Sequence, residues 1–324
     1  MSKKKAREIE EQKRKNRNKV LTVVIASGTL VIVLFLAYLL FFNGNSDDGK
    51  LWHLDNAGLL SFGEREPPAW HKSFSPVTLV EDTPEYTLEE ESYISFNDTV
   101  FALLRVPKNE TKPPVVIVLP GAGINKEADA DMAKALCSWG YATVTLDERG
   151  NNGSTPGPSP MDLNSGYSAF VNGDDPVQYK QVYDVLLAYD CIRSMPILDG
   201  ENVAVLGESM GGRFAIVSAA LEPGLKAVVA VSGGPYGLKG DDDASTRFLK
   251  SIEPANYLSK LPQRKLIMFH FTDDPIIPLA SGRQLYDAAS QPKAWHQYNG
   301  SVHGIYSDVY AADLHNELKG VFGR

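Results

Sequence analysis

Five short apolar runs recur at intervals that leave room for a helix or crossover between them: PPVVIVLPGAG (113–123), YATVTLDERG (141–150), NVAVLGESMGG (202–212), AVVAVSG (227–233) and KLIMFHFTDD (265–274). A run of this length with little polar alternation reads as a strand buried on both faces of a parallel sheet. Helical patterns fall between and after them, around 127–139, 176–194, 211–221, 280–290 and 308–322, with a further strand at 294–298. Segments 92–96 and 99–106 read as an antiparallel hairpin turning at Asn97-Asp98. Strands alternating with helices require right-handed crossovers. The expected fold class is therefore α/β, a doubly wound, mostly parallel sheet with helices on both faces. Such sheets keep their chemistry on loops beyond the carboxyl ends of the strands.

One of those strand ends carries Gly207-Glu208-Ser209-Met210-Gly211, a G-x-S-x-G pattern between an expected strand and an expected helix. The strand must turn sharply into the helix with Ser209 at the apex, and side chains at 207 and 211 would collide with neighbouring backbone. The helix N-terminus beneath favours negative charge developing near the serine. Alone the pattern is weak, and its strand–turn–helix setting gives it weight. From residue 86 to the end the chain resembles the α/β-hydrolase family. Within that family it is most similar to the dienelactone-hydrolase, acetyl-xylan-esterase and prolyl-oligopeptidase catalytic domains.

The resemblance implies a chain order of nucleophile, acid and base. His270-Phe271-Thr272-Asp273-Asp274-Pro275-Ile276-Ile277-Pro278 is similar to the family's H-G-x-x-D-x-x-x-P loop and makes Asp274 the acid, with Asp273 as fallback. Phe271 stands where that loop usually has Gly. Of six histidines, His303 lies in a loop after the last strand and before the last helix, where the family keeps its base. Acyl transfer also needs amide donors for the oxyanion. The resemblance implies the N–H of Met210 and the N–H of Ala122 in Pro120-Gly121-Ala122-Gly123, with Gly123 next in line. Pro120 replaces the usual His, which removes a hydrogen bond expected to brace this loop. Residues 147–154 resemble the structural D-x-R-G-x-G-x-S loop with one extra residue. Asp241-Asp242-Asp243 could suggest a cation site, but such a run is more often a solvated loop. Metal and cofactor motifs are absent from the sequence, so neither is expected.

Charge is unevenly spread. Residues 1–19 hold nine Lys/Arg and three Glu, which leaves 23 basic and 37 acidic residues for the rest. An acidic globular part argues against nucleic acid as a partner. Val20–Phe42 is an uncharged run of 23 residues, about 34 Å as a helix at ~1.5 Å per residue, enough to cross a bilayer. It is longer than a cleaved signal's apolar region and ends in bulky residues, so it reads as an uncleaved signal anchor with the lipid bilayer as partner. The basic head should stay cytoplasmic, leaving the catalytic domain extracytoplasmic. The expected organisation is a basic segment (1–19), a transmembrane helix (20–42), a stalk and lead-in (43–85) and a catalytic domain (86–324). Trp52 and Trp70 in the stalk fit either the membrane interface or packing onto the domain. Cys137 and Cys191 sit in helices expected on opposite faces of the sheet, which favours buried thiols over a disulfide.

The combined expectation is a membrane-anchored serine hydrolase acting on carboxylic esters or thioesters, a carboxylesterase first. The covers over Ser209, loop 154–178 and excursion 234–262, are short and fit small-molecule substrates. A peptidase of prolyl-oligopeptidase type on short peptides is the alternative within the same chemistry. A catalytically inactive, membrane-tethered binding module is the alternative outside it.

Overall fold

A computed structural model of the chain describes Arg14, residues 50–63, Arg65 and residues 74–324. The expected transmembrane helix at 20–42 and the basic head lie outside the described residues, apart from Arg14. Among the described residues no helix is long and apolar enough to cross a membrane.

The centre is a nine-stranded sheet. Its strands are β3 (Ser75–Asp82), β4 (Tyr86–Ser95), β5 (Asp98–Pro107), β6 (Pro114–Leu119), β7 (Ala142–Leu146), β8 (Asp199–Glu208), β9 (Ala227–Val231), β10 (Lys265–Phe271) and β11 (Lys293–Tyr298). Their spatial order is β11-β10-β9-β8-β6-β7-β5-β4-β3, with a separate hairpin of β1 (Trp52–Leu54) and β2 (Leu60–Phe62). From β7 through β6 to β11 every pairing is parallel, while β5, β4 and β3 add on antiparallel. The five apolar runs are β6, β7, β8, β9 and β10, which lie side by side within the sheet. In β6 the two sets of alternating residues enter different cores. Val115, Ile117 and Leu119 join one, and Val116 and Val118 join the other. Burial on both faces explains why these strands are apolar without alternation.

Helices α1 (Ala130–Ser138) and α7 (Asp308–Phe322) cover one face through Met132, Leu136, Tyr310, Leu314 and Leu318. Helices α3 (Val177–Ser194), α4 (Met210–Leu221) and α6 (Leu279–Ala288) cover the other. Cys137 on α1 and Cys191 on α3 are therefore buried on opposite sides of the sheet and are not bridged. Two ten-residue helices, α2 (Leu163–Asn172) and α5 (Asp243–Ile252), rise from the segments expected to cover the site. They meet through Phe170, Tyr167 and Phe248, and a 3₁₀ turn (Pro254–Lys260) follows.

The expected boundary at residue 86 needs correction, because one compact unit runs from Trp52 to Arg324. Trp52 is 8% exposed, packs edge-on against Tyr179 at 4.8 Å between ring centres and donates Nε1–H to Asp175 at 2.9 Å. The Leu60 N–H donates to the Tyr257 hydroxyl at 2.7 Å. Three-residue strands are too short to show a period of two, and the partners that bury them lie 123 and 197 positions downstream. Trp70 lies outside the described residues.

Candidate active site

The elbow is built as the sequence requires. Ser209 has φ +52° and ψ −110°, between the end of β8 and the start of α4. Its N–H donates to the Val231 carbonyl at 2.8 Å, which ties the strained residue to the neighbouring strand. A Cβ at Gly207 would stand 2.2 Å from the Gly211 backbone, and one at Gly211 would stand 2.1 Å from the Leu119 carbonyl oxygen. Both glycines are there for close approach of backbone to backbone.

Two loops from elsewhere in the chain meet Ser209. His303, 94 positions downstream, faces the serine Oγ with Nε2 at 2.7 Å. Its Nδ1 lies 2.8 and 3.0 Å from the two oxygens of Asp274. The tautomer that satisfies both ends has Nδ1–H donating to the carboxylate and Nε2 accepting the serine proton. Asp274 Oδ1 also accepts from the Ile276 and Ile277 amides, each at 2.9 Å. Burial works against the Asp274 charge, but the Ile276 amide and His303 outweigh it and hold the carboxyl below its ordinary range. The fallback, Asp273, is exposed and bonds to the Thr272 hydroxyl instead.

Three of the other described histidines have structural partners, and the fourth is exposed. His270 donates Nε2–H to the Ile277 carbonyl at 2.9 Å, and burial lowers its pKa, so it stays neutral beneath Asp274. His296 bonds to Glu317, His315 stacks on Trp139, and His53 is exposed on β1. His71 lies outside the described residues.

The loop expected to supply the second oxyanion donor lies against the nucleophile, with Gly121 packed beside the Ser209 Cβ. Met210 opens α4, so its N–H is among the first-turn amides with no carbonyl upstream in the helix. Of the two candidates in the 120s loop, Gly123 is committed, because its N–H donates to Asn151 Oδ1 at 2.6 Å. Ala122 is exposed and fits the remaining role. Asn151 itself escaped the reading of the sequence. It is 2% exposed, and its Nδ2 donates to the Gly121 and Ile124 carbonyls at 2.9 and 2.6 Å. A single amide side chain thus supplies the brace that Pro120 cannot give. No local sequence signal links residues 28 positions apart in this way.

The rest of the 147–154 loop is structural, as expected. Arg149 grips Asp184 through Nε at 2.6 Å and Nη2 at 3.1 Å, and reaches Asp98 at 2.6 Å. Asp147 accepts the Ser154 and Thr155 amides. The acidic run at 241–243 starts α5, where Asp242 and Ser245 form a reciprocal capping box. Among the described residues no group of His, Cys, Asp or Glu is arranged to hold a metal ion.

A second set of acids surrounds the elbow. Glu208 and Glu148 are 1% and 2% exposed, and each has a carboxyl oxygen without a hydrogen-bond partner. Burial, with Asp129 nearby, raises both well above the ordinary carboxyl range. Burial and Asp131 together push Asp129 up to about 6.

Comparison with known proteins gives a consistent picture. The acetyl xylan esterase (AXE1) family model matches residues 85–236. An acetyl esterase, Axe7A, of Xylanibacter ruminicola is 32% identical over 142 residues, which covers 41% of this chain and 32% of that one. A 2,6-dihydropseudooxynicotine hydrolase of Paenarthrobacter nicotinovorans is 31% identical over 130 residues, 40% of this chain and 31% of that one. The chain thus spans about a third of the length of these curated relatives. Among solved structures, acetyl xylan esterase 1 from Thermoanaerobacterium sp. JW/SL YS485 superposes with a TM-score of 0.65 at 16% identity, over 77% of this chain and 88% of that one. The acetyl xylan esterase from Paenibacillus sp. R4 gives 0.65 at 18% identity, over 76% and 88%. The sheet order, the elbow and these matches together support an α/β-hydrolase fold and a serine hydrolase of that family.

Proposed function

We propose that this chain is a membrane-anchored carboxylesterase that cleaves small carboxylic esters or thioesters through an acyl-enzyme on Ser209. The observation that carries the reading is the continuous run from Asp274 through His303 to Ser209, with 2.8 Å and 2.7 Å contacts between groups from three separate strand ends. That spacing suits a base that takes a proton while a carboxylate orients it and offsets the charge it gains.

His303 Nε2 takes the Ser209 proton as Oγ attacks the ester carbonyl. The amides of Met210 and Ala122 hold the oxyanion, and Asp274 stabilises the imidazolium. Collapse breaks the bond to the alcohol or thiol, which leaves with the proton from Nε2. Water then gives its proton to His303, attacks the acyl-enzyme and releases the acid. Acetyl esters are the first substrates to try, since the matching family model, Axe7A and the two superposed acetyl xylan esterases are named for acetyl esters. The two-helix cover of α2 and α5 is small, which favours modest substrates over polymers threaded through a tunnel.

Residues 20–42 anchor the chain, and the basic 1–19 segment remains in the cytoplasm with the catalytic domain outside. The uncharged run and the charge asymmetry on its two sides support this. A panel of p-nitrophenyl esters against peptide amides tests the chemistry. Ester turnover that disappears in Ser209→Ala is expected, and amide turnover without ester turnover would overturn the esterase assignment. Protease access to the domain in intact cells tests the topology, and full protection would contradict it.

A further inference from the structure

Arg213 lies one helical turn beyond Ser209 on α4. Helical side chains lean back toward the helix N-terminus, so Arg213 is carried over the turn that the serine opens. A second connection fixes it on that side. Its Nε donates to the Gly234 carbonyl at 3.0 Å, and Gly234 lies three residues past Val231, whose carbonyl holds the Ser209 N–H. The guanidinium also sits 4.2 Å from the centre of the Tyr236 ring.

Stacking and the hydrogen bond from Nε orient the arginine without spending its charge on a carboxylate. Nη1 approaches the Met161 sulfur at 4.0 Å, and among the described residues Arg213 makes no ion pair. Arg149 is the contrast, spending its charge on Asp184 and Asp98. Glu253, an acid near Tyr236, gives its oxygens to the Gly237 and Ala255 amides. The Tyr236 hydroxyl is buried, with Arg213 as its nearest charged neighbour. A half-buried, oriented cation therefore stands one helical turn along the chain from Ser209, in a domain whose other charge is mostly negative.

We propose that Arg213, held in place by the Gly234 carbonyl and the Tyr236 ring, forms an anion subsite, which takes a carboxylate or phosphate on a substrate whose scissile carbonyl rests at Ser209. This rests on the hydrolase reading and narrows it, making an anionic ester the preferred substrate. The planar guanidinium would donate to two oxygens of the anion.

The test uses the full chain and two matched substrate pairs. One pair is p-nitrophenyl hemisuccinate and its methyl ester; the other is a 1-acylglycerol 3-phosphate and the 1-acylglycerol of the same chain. The readout is the ratio of kcat/KM, anionic over neutral, which is independent of the fraction of folded enzyme. A preference of about tenfold or more for at least one anionic member is expected, as for a charge-assisted contact. It should collapse in Arg213→Met and Arg213→Gln, fall partway in Arg213→Lys, and shrink with added salt. Response of the succinyl pair alone assigns a carboxylate, and response of the glycerol pair alone assigns a phosphate. Ratios unchanged by both substitutions, with turnover that still depends on Ser209, would overturn the subsite and leave the hydrolase standing. A folded protein that turns over no ester and takes no fluorophosphonate label would remove both.

Discussion

Asp274 and Glu208 are both buried near Ser209, the first linked to it by hydrogen bonds through His303 and the second its neighbour in the chain. They are 8% and 1% exposed, yet they settle on opposite sides of the usual carboxyl range. Asp274 Oδ1 receives two backbone amides and the His303 N–H. Glu208 Oε1 receives no hydrogen bond. Burial alone penalises charge in both cases, so the supply of donors decides which acid stays ionised. Two buried carboxyls beside one serine can therefore be held on opposite sides of the ordinary carboxyl range.

Removing the charge from the donor-rich acid should do the most damage. Asp274→Asn keeps the shape but presents His303 with the wrong group, and kcat on a reactive ester should fall about 10³–10⁴-fold. A loss below tenfold would mean Asp274 does not orient the base.

The next effect concerns the loop rather than an acid. Asn151→Ala deletes three hydrogen bonds to residues 121–124 and should cost about 10²-fold in kcat with little change in KM, as expected when one oxyanion donor is displaced. An equal rise in KM would indicate a role in ground-state binding instead.

The donor-poor acids should report through stability. Burial, then Asp131, raises Asp129 from its ordinary 3.8 to about 6. The folded state then binds more protons than the unfolded one between about pH 4 and pH 6. Stability falls as pH rises through that window and levels off above it. Asp129→Asn should remove this slope, which makes it more stable than the parent by up to roughly 3 kcal/mol near pH 7 and far less near pH 4. Urea melts at both pH values check it, and a stabilisation independent of pH would show that Asp129 does not titrate in this way.

The smallest expected effect is Glu208→Gln. Since burial raises this carboxyl well above its ordinary range and so favours its neutral form, an amide of the same shape should change kcat/KM by less than about threefold. A large loss would show that Glu208 is charged, and the comparison with Asp274 would fail.

These two acid sets also mark how far the sequence could be read. Asp274 was legible because it lies in a short motif at the end of an apolar run, and so were the elbow and the His303 loop. Strands β6 to β10 were legible because burial on both faces makes them continuously apolar. Asn151, Glu148 and Asp129 were not, because their roles arise from contacts between loops that the sheet order brings together. Residues 52–62 were missed for a related reason. Trp52 and Leu60 are buried by Tyr179 and Tyr257, and nothing local in the chain points to those partners. The Pro120 departure suggested an unbraced loop, and the structure shows the brace arriving from the next strand end.

The measurement closest to the central claim is fluorophosphonate labelling of the folded chain beside Ser209→Ala, with acetyl ester turnover recorded on the same samples. Labelling and turnover in the parent, both lost in the variant while its circular dichroism is unchanged, are expected. Labelling that persists in Ser209→Ala, or a folded parent that neither labels nor turns over ester, would contradict it.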